Sequence, residues 1–173
     1  MSDRRSFLRG ASVLMGHAAF GQVITAFAAT PRKATFFDTT QMGTLRALDD
    51  VILPATDSPA ASAADTHYFI DLALPACASA QAQKTFRSGL DSLGTKRFES
   101  LTSGEQIAIL TVRATTDMPL QYDQSFFKIL KDYTLTGYFL SEVGATKALA
   151  YERVPGGFQG DLPLAANQKA WAI

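Results

Sequence analysis

The sequence predicts an all-α protein, a small bundle of about five helices followed by an extended C-terminal arm. Apolar residues recur at helical spacing in several separate segments, and no alternating strand pattern recurs often enough to build a sheet. The chain has 173 residues, of which 47% are hydrophobic and 18% are charged. That composition is sufficient for one domain with a buried core.

The first half of the chain contains two predicted helices. The first is indicated by apolar residues at helical spacing, which are Met42, Leu45, Leu48, Val51 and Ile52. Thr39 or Thr40 is placed to cap it, and Pro54 ends it because proline cannot continue the hydrogen-bond ladder. The second helix is short and is disturbed at Pro75; its apolar residues are Tyr68, Phe69, Leu72 and Ala73.

Three further helices are predicted in the second half. One runs from about Gln81 to Leu93. The next opens at a capping box formed by Thr102 and Glu105, passes through Ile107, Leu110 and Ala114, and closes at Met118-Pro119. The strongest periodic segment runs from Ser125 to Val143 and ends at Gly144, a residue type that often caps helices.

The N-terminus has the layout of an export signal. Arg4 and Arg5 precede Ser-Phe7-Leu8, an apolar stretch follows, and Ala26-Phe27-Ala28 forms a small-x-small cleavage site. Paired arginines before Phe-Leu match the twin-arginine route. The sequence therefore predicts export to the periplasm with a signal at 1–28.

After the signal, the sequence predicts a linker at 29–40 and a single helical domain at 41–173, whose arm begins at about 152. Without the signal, 13 basic and 15 acidic groups remain, obtained by removing three Arg and one Asp from 16 of each. The balance leaves no basic excess to neutralise phosphates, so a nucleic-acid partner is not expected.

Cysteine and histidine are scarce. One cysteine and two histidines exclude an intramolecular disulfide framework, a CxxCH haem site and a Cys/His zinc site. No cofactor or metal is expected in this chain. Cys77 is either buried or paired across a subunit interface, and its alanine neighbours favour burial.

Three groups of residues could carry chemistry. His67 has Ser62, Asp65 and Asp71 nearby in sequence, but no acyl-transfer motif accompanies it, so a half-exposed histidine at a helix start is favoured. Asp49-Asp50 with Asp57 fits no calcium loop and is expected on the solvated flank of the first helix. The glycines at 156–160 open no helix and indicate a turn, not a phosphate cradle.

Aromatic residues exceed what one helix face needs. Most of the aromatic side chains around 126–139 are explained by a core, but a surplus would suit a partner interface. The candidate interface residues are Phe127, Tyr138, Phe139, Phe158 and Trp171.

Four segments of the chain resemble the gluconate 2-dehydrogenase subunit 3 family: LRALDDVILPATDSPAA, FESLTSGEQIAIL, FFKILKDYTLTGYFLSEVG and YERVPGGFQGDLPL. The resemblance covers most of 40–165. The helix end at 137–142 and the Val154-Pro155-Gly156 tail are its most specific parts. This chain departs from the family at Ser58-Pro59-Ala60, where a glycine often follows the proline.

The resemblance implies a non-catalytic accessory subunit. Members accompany a large FAD-dependent dehydrogenase of the glucose–methanol–choline type, commonly with a cytochrome c as electron acceptor. The large subunit lacks an export signal, binds FAD in the cytoplasm and crosses the membrane with the small subunit, so contact with the membrane is only indirect. This explains a folded-protein export signal on a chain without a cofactor motif.

Two other functions remain open from the residues. One is a free-standing periplasmic enzyme that uses His67 with a nearby carboxylate. The other is a periplasmic binding or chaperone protein without a fixed partner. Neither the substrate nor the electron acceptor of a complex can be read from this chain.

Overall fold

The computed structural model describes residues 17–28, 32–94 and 97–151, together with 161, 163, 166 and 168–171. Within these residues, six α-helices form: α1 His17–Ala28, α2 Thr39–Ile52, α3 Thr66–Cys77, α4 Ala80–Gly94, α5 Ser103–Asp117 and α6 Phe126–Leu140. Short 3-10 turns lie at Ala61–Ala64, Phe98–Ser100 and Tyr122–Gln124, and a π turn, Gly144–Ala148, follows α6. The described residues form no strand, so the predicted all-α class is confirmed.

The core is organised around α6, which packs against α3, α4 and α5. Its inner face buries large apolar side chains, which are Phe126, Ile129, Leu130 and Tyr133. At Gly137 the two central helices come unusually close, because a Cβ there would lie 2.6 Å from the ring of Phe69 on α3. Any larger residue at that position would have to displace the ring of Phe69.

Helix α1 packs on the same core as the rest of the chain. Val23 and Phe27 are buried, and the ring of Phe27 meets that of Phe69 edge-on at a centroid distance of 5.5 Å. The guanidinium of Arg32 lies 4.5 Å from the Phe27 centroid and pairs with Asp65. The apolar end of the predicted signal therefore lies against α3 in this conformation.

The second half of the predicted linker is held in place by Asp71. One oxygen of this buried carboxylate accepts from the backbone N–H and hydroxyl of Thr35, and the other accepts from the N–H groups of Phe36 and Phe37. Phe37 is buried in the core, so residues 35–37 form a structural part of the domain.

Three predicted helix ends differ in the structure. Asp38, not Thr39 or Thr40, caps α2 in a capping box with Gln41. Helix α3 runs through Pro75 to Cys77, because the missing N–H falls in the last turn and costs one hydrogen bond. Helix α6 ends at Leu140, and Gly144, whose φ is not positive, begins the π turn and does not cap α6. The capping box of Thr102 and Glu105 is as predicted.

The end of the predicted arm returns to the helical body. The N–H of Ala150 donates to the carbonyl of Ala170 at 2.8 Å, and Ala150 forms a parallel bridge with Trp171. Lys169 Nζ also donates to the carbonyl of Lys147. The stretch from 152 to 160 lies outside the described residues.

Candidate functional site: the outer face of α5

The alternative of a catalytic site around His67 finds no support in the arrangement of the described residues. His67 lies at the start of α3, as expected, but it is 7% exposed and not half-exposed. Its Nδ1 has no hydrogen-bond partner among the described residues, and burial lowers the pKa of the imidazole. A general base needs a group that orients its ring, and no described carboxylate does so.

The carboxylates near His67 are engaged elsewhere. Asp65 pairs with Arg32, and Asp71 holds residues 35–37. Asp50 accepts from the backbone N–H of Ser62 at 2.8 Å. These acids hold chain segments together, and their hydrogen bonds account for them without a reaction.

Asp49 is fully buried, which corrects the expectation that it lies on the solvated flank of its helix. It accepts hydrogen bonds from the hydroxyls of Thr66 at 2.6 Å and Thr134 at 2.8 Å, so it joins α2, α3 and α6. Burial raises the pKa of Asp49 to about 7, the two hydroxyls oppose that rise, and the neighbouring Asp50 adds slightly to it. The group is a buried structural junction that titrates near neutrality.

Cys77 is a free, partly exposed thiol at the end of α3. It packs against the edge of the core, and partial burial raises the pKa of its thiol. A raised pKa disfavours the reactive thiolate.

The predicted interface aromatics fall into different environments. Tyr138 is 2% exposed, and its hydroxyl donates to the carbonyl of Pro59 at 2.7 Å, so it offers no surface to a partner in this conformation. Phe127 is partly buried against the main core. Phe139 is partly buried against a separate small cluster that contains Ala61, Ala64 and Tyr138. Trp171 is half exposed beside Ala150. Phe158 lies outside the described residues.

The export motif itself, Arg4, Arg5, Phe7 and Leu8, also lies outside the described residues. The predicted cleavage site does not, since Ala26, Phe27 and Ala28 form the last residues of α1. Phe27 is buried there, so the end of α1 must leave α3 before a peptidase can bind the site.

The sequence does not predict one feature of the surface, the apolar outer face of α5. Beyond the first turn of α5, where Glu105 of the capping box is exposed, the exposed positions carry no charged residue; they are Ile107, Ala108, Thr111, Val112, Thr115 and Thr116. Ile107 is 55% exposed and Val112 67%. Of the apolar residues that indicate this helix in the sequence, Leu110 is buried in the core and Ile107 is exposed.

A groove of about 430 Å³ runs beside this face, between α4 and α5. Gly89 and Leu93 line it from α4, and Ala108 and Val112 line it from α5. Phe126 also lines it. The groove is therefore mainly apolar and is continuous with the outer face through Val112.

The described residues contain neither a membrane-spanning helix nor a cluster of metal ligands. No described helix is long and apolar enough to cross a membrane. No group of three or more His, Cys, Asp or Glu side chains among the described residues could hold a metal ion.

The described residues thus define a small α-helical protein with an exposed apolar face on α5. A family model, gluconate 2-dehydrogenase subunit 3, matches residues 39–156. The chain belongs to this family, as the sequence segments indicated, and the family name describes one subunit of a dehydrogenase complex. No curated protein and no solved structure matches the chain.

Proposed function

We propose that this chain is the non-catalytic small subunit of an exported dehydrogenase complex, which it stabilises and carries across the membrane. The observation that carries the proposal is the family match over 39–156, because that family is named for a subunit of a dehydrogenase. The buried carboxylates support it, since Asp49 and Asp71 are engaged in hydrogen bonds that hold the fold.

The partner in this proposal is a large subunit of the glucose–methanol–choline type that binds FAD and lacks its own export signal. It acquires FAD and folds in the cytoplasm, and the twin-arginine signal of the small subunit exports the assembled pair to the periplasm. The substrate is gluconate, another sugar or a glycoside, and electrons leave the complex to a cytochrome c.

The experiment replaces Arg4 and Arg5 by lysine and follows the flavoprotein. The charge is conserved, but a bidentate guanidinium is lost at both positions, so recognition by the export machinery should fail. We expect the large subunit and its flavin to shift from the periplasmic to the cytoplasmic fraction, together with this chain.

The matched control replaces Arg9 by lysine, which keeps the paired arginines intact, and should leave both proteins in the periplasm. If the double variant stayed in the cytoplasm while its partner still reached the periplasm, co-export would be wrong.

A further inference from the structure

We propose that the outer face of α5, together with the α4–α5 groove, is the surface on which the large dehydrogenase subunit docks, with an apolar side chain of that subunit filling the groove. The inference rests on the proposed function for the existence of this partner. It adds the place of binding and the chemistry of the partner surface.

The first argument is that α5 is apolar on its exposed face as well as on its buried face. Leu110 of the buried face belongs to the core. Beyond the exposed Glu105 of the capping box, the exposed stripe from Ile107 to Thr116 carries no charged residue, and the partly buried Arg113 beside it pairs with Asp117. A helix that stays in water normally carries charged and polar residues on its exposed face. The exposed stripe of α5 is therefore suited to being covered by a partner.

The threonines of this stripe extend its apolar character. The hydroxyl of Thr111 donates to the carbonyl of Ile107 at 2.8 Å, and that of Thr115 donates to Thr111 at 2.9 Å. Thr116 donates to Val112 in the same way at 2.9 Å. Because each hydroxyl is engaged by its own helix, each threonine can be covered by a partner without leaving a donor unsatisfied.

The groove provides a pocket for a side chain of the partner. Tight interfaces concentrate their binding energy where a large side chain enters a desolvated pocket. The groove has room for one, and Phe126 and Leu93 provide apolar walls against which it would pack. Val112 stands on its rim, so a side chain in the groove would also touch the outer face.

Charge identifies the kind of partner. Arg113 is the charged residue among those that line the groove, and its Nε lies 3.2 Å from Asp117, which neutralises it. A neutral, apolar surface fits the core of a protein–protein interface and offers nothing to a nucleic acid or an acidic headgroup. The described terminal segments lie elsewhere, α1 on α3 and residues 168–171 at Ala150.

The complex is purified through a tag on this chain, and the flavoprotein subunit is then separated from it. The test measures how tightly the separated flavoprotein rebinds this chain and its variants. The variants Val112→Glu and Ile107→Glu each place a charge in the proposed interface. The matched control is Leu140→Glu, which exchanges a 46% exposed leucine at the far end of α6. Helical circular dichroism and Tm verify that each variant folds.

We expect Val112→Glu and Ile107→Glu to weaken binding roughly tenfold or more, while Leu140→Glu binds as the wild type does. Wild-type affinity in both face variants would overturn the docking surface and leave the accessory role intact. A wild-type chain that recovers no flavoprotein would overturn the accessory role itself. If light scattering showed a dimer of this chain that Val112→Glu dissociates, the face would belong to a second copy and the inference would be wrong.

Discussion

Asp49 makes the interior of the protein sensitive to pH. The carboxyl is buried between α2, α3 and α6, and burial raises its pKa from near 3.8 to about 7. The folded state therefore holds the proton more tightly than the unfolded state does. Stability from this group is fully present below pH 4 and is lost as pH rises through 7.

Replacing Asp49 by asparagine should remove that dependence. The amide stays neutral, its oxygen can accept from one threonine hydroxyl, and its NH₂ can donate to the other, whose single proton is then free to go to the nearby backbone carbonyl. We expect denaturant midpoints of the wild type to fall between pH 5 and pH 8, and those of Asp49→Asn to fall much less. Each unit by which the folded-state pKa exceeds the unfolded-state pKa corresponds to about 1.4 kcal/mol in the free energy of unfolding.

If the denaturant midpoint changed with pH equally in the wild type and in Asp49→Asn, Asp49 would not titrate between pH 5 and pH 8. Asp49→Ala serves as the comparison, because it leaves a cavity and should lower the midpoint at both pH values.

Among the described glycines, Gly144 has the least space for a side chain. A Cβ there would lie 1.9 Å from the carbonyl oxygen of Tyr138, far inside any real contact. Gly144→Ala must therefore displace the π turn from the end of α6, and we expect the unfolding free energy to fall by about 1–3 kcal/mol. Chemical denaturation measures this.

The control for Gly144 is Gly43→Ala in α2, where nothing lies within 4 Å of the added carbon. Alanine is the better helix former, so this variant should gain about 0.5–1 kcal/mol. A Gly144→Ala variant as stable as the wild type would contradict the packing described for the π turn.

At the scale of helices, α1 forms the end of the predicted signal and packs on the folded domain. Phe27 and Val23 are buried against α3, and Arg32 lies over the Phe27 ring. We expect Phe27→Ala in the full-length chain to lower Tm measurably, because truncation of a buried phenylalanine leaves a cavity. Gln22→Ala, an exposed change in the same helix, should not.

If both variants melted like the wild type, α1 would not be packed on α3 in solution. If Phe27→Ala alone is destabilised, removal of 1–28 must uncover part of the Phe69 face, and the processed chain should bind more of an apolar dye than the full-length chain.

The helices could be predicted because their signals are local. The box of Thr102 and Glu105 and the periodic run of α6 need no knowledge of the tertiary structure. The cap of α2 was missed because several polar residues compete there, and the backbone conformation of Asp38 decides among them. The passage of α3 through Pro75 was missed because the cost of proline depends on its distance from the helix end.

The candidate surface could not be predicted, because it depends on how α5 is oriented against the core, and local sequence does not determine that orientation. Along α5, apolar residues occur on two faces, and periodicity alone does not say which of them meets the core. A signal for Asp49 did exist, because it follows Met42 and Leu45 at helical spacing and thus lies in phase with the buried stripe. Its threonine partners, 17 and 85 residues away, could not be inferred from the sequence.

For the whole molecule, the family, the proposed export signal and the exposed α5 face favour a chain that works bound to another protein. The most direct measurement is to purify the tagged chain from periplasm under native conditions and to record its absorption spectrum, its mass by light scattering and its components by mass spectrometry. We predict a flavin spectrum and a second, larger polypeptide at a fixed ratio to this chain. A colourless monomer that is itself active on a substrate would contradict the account.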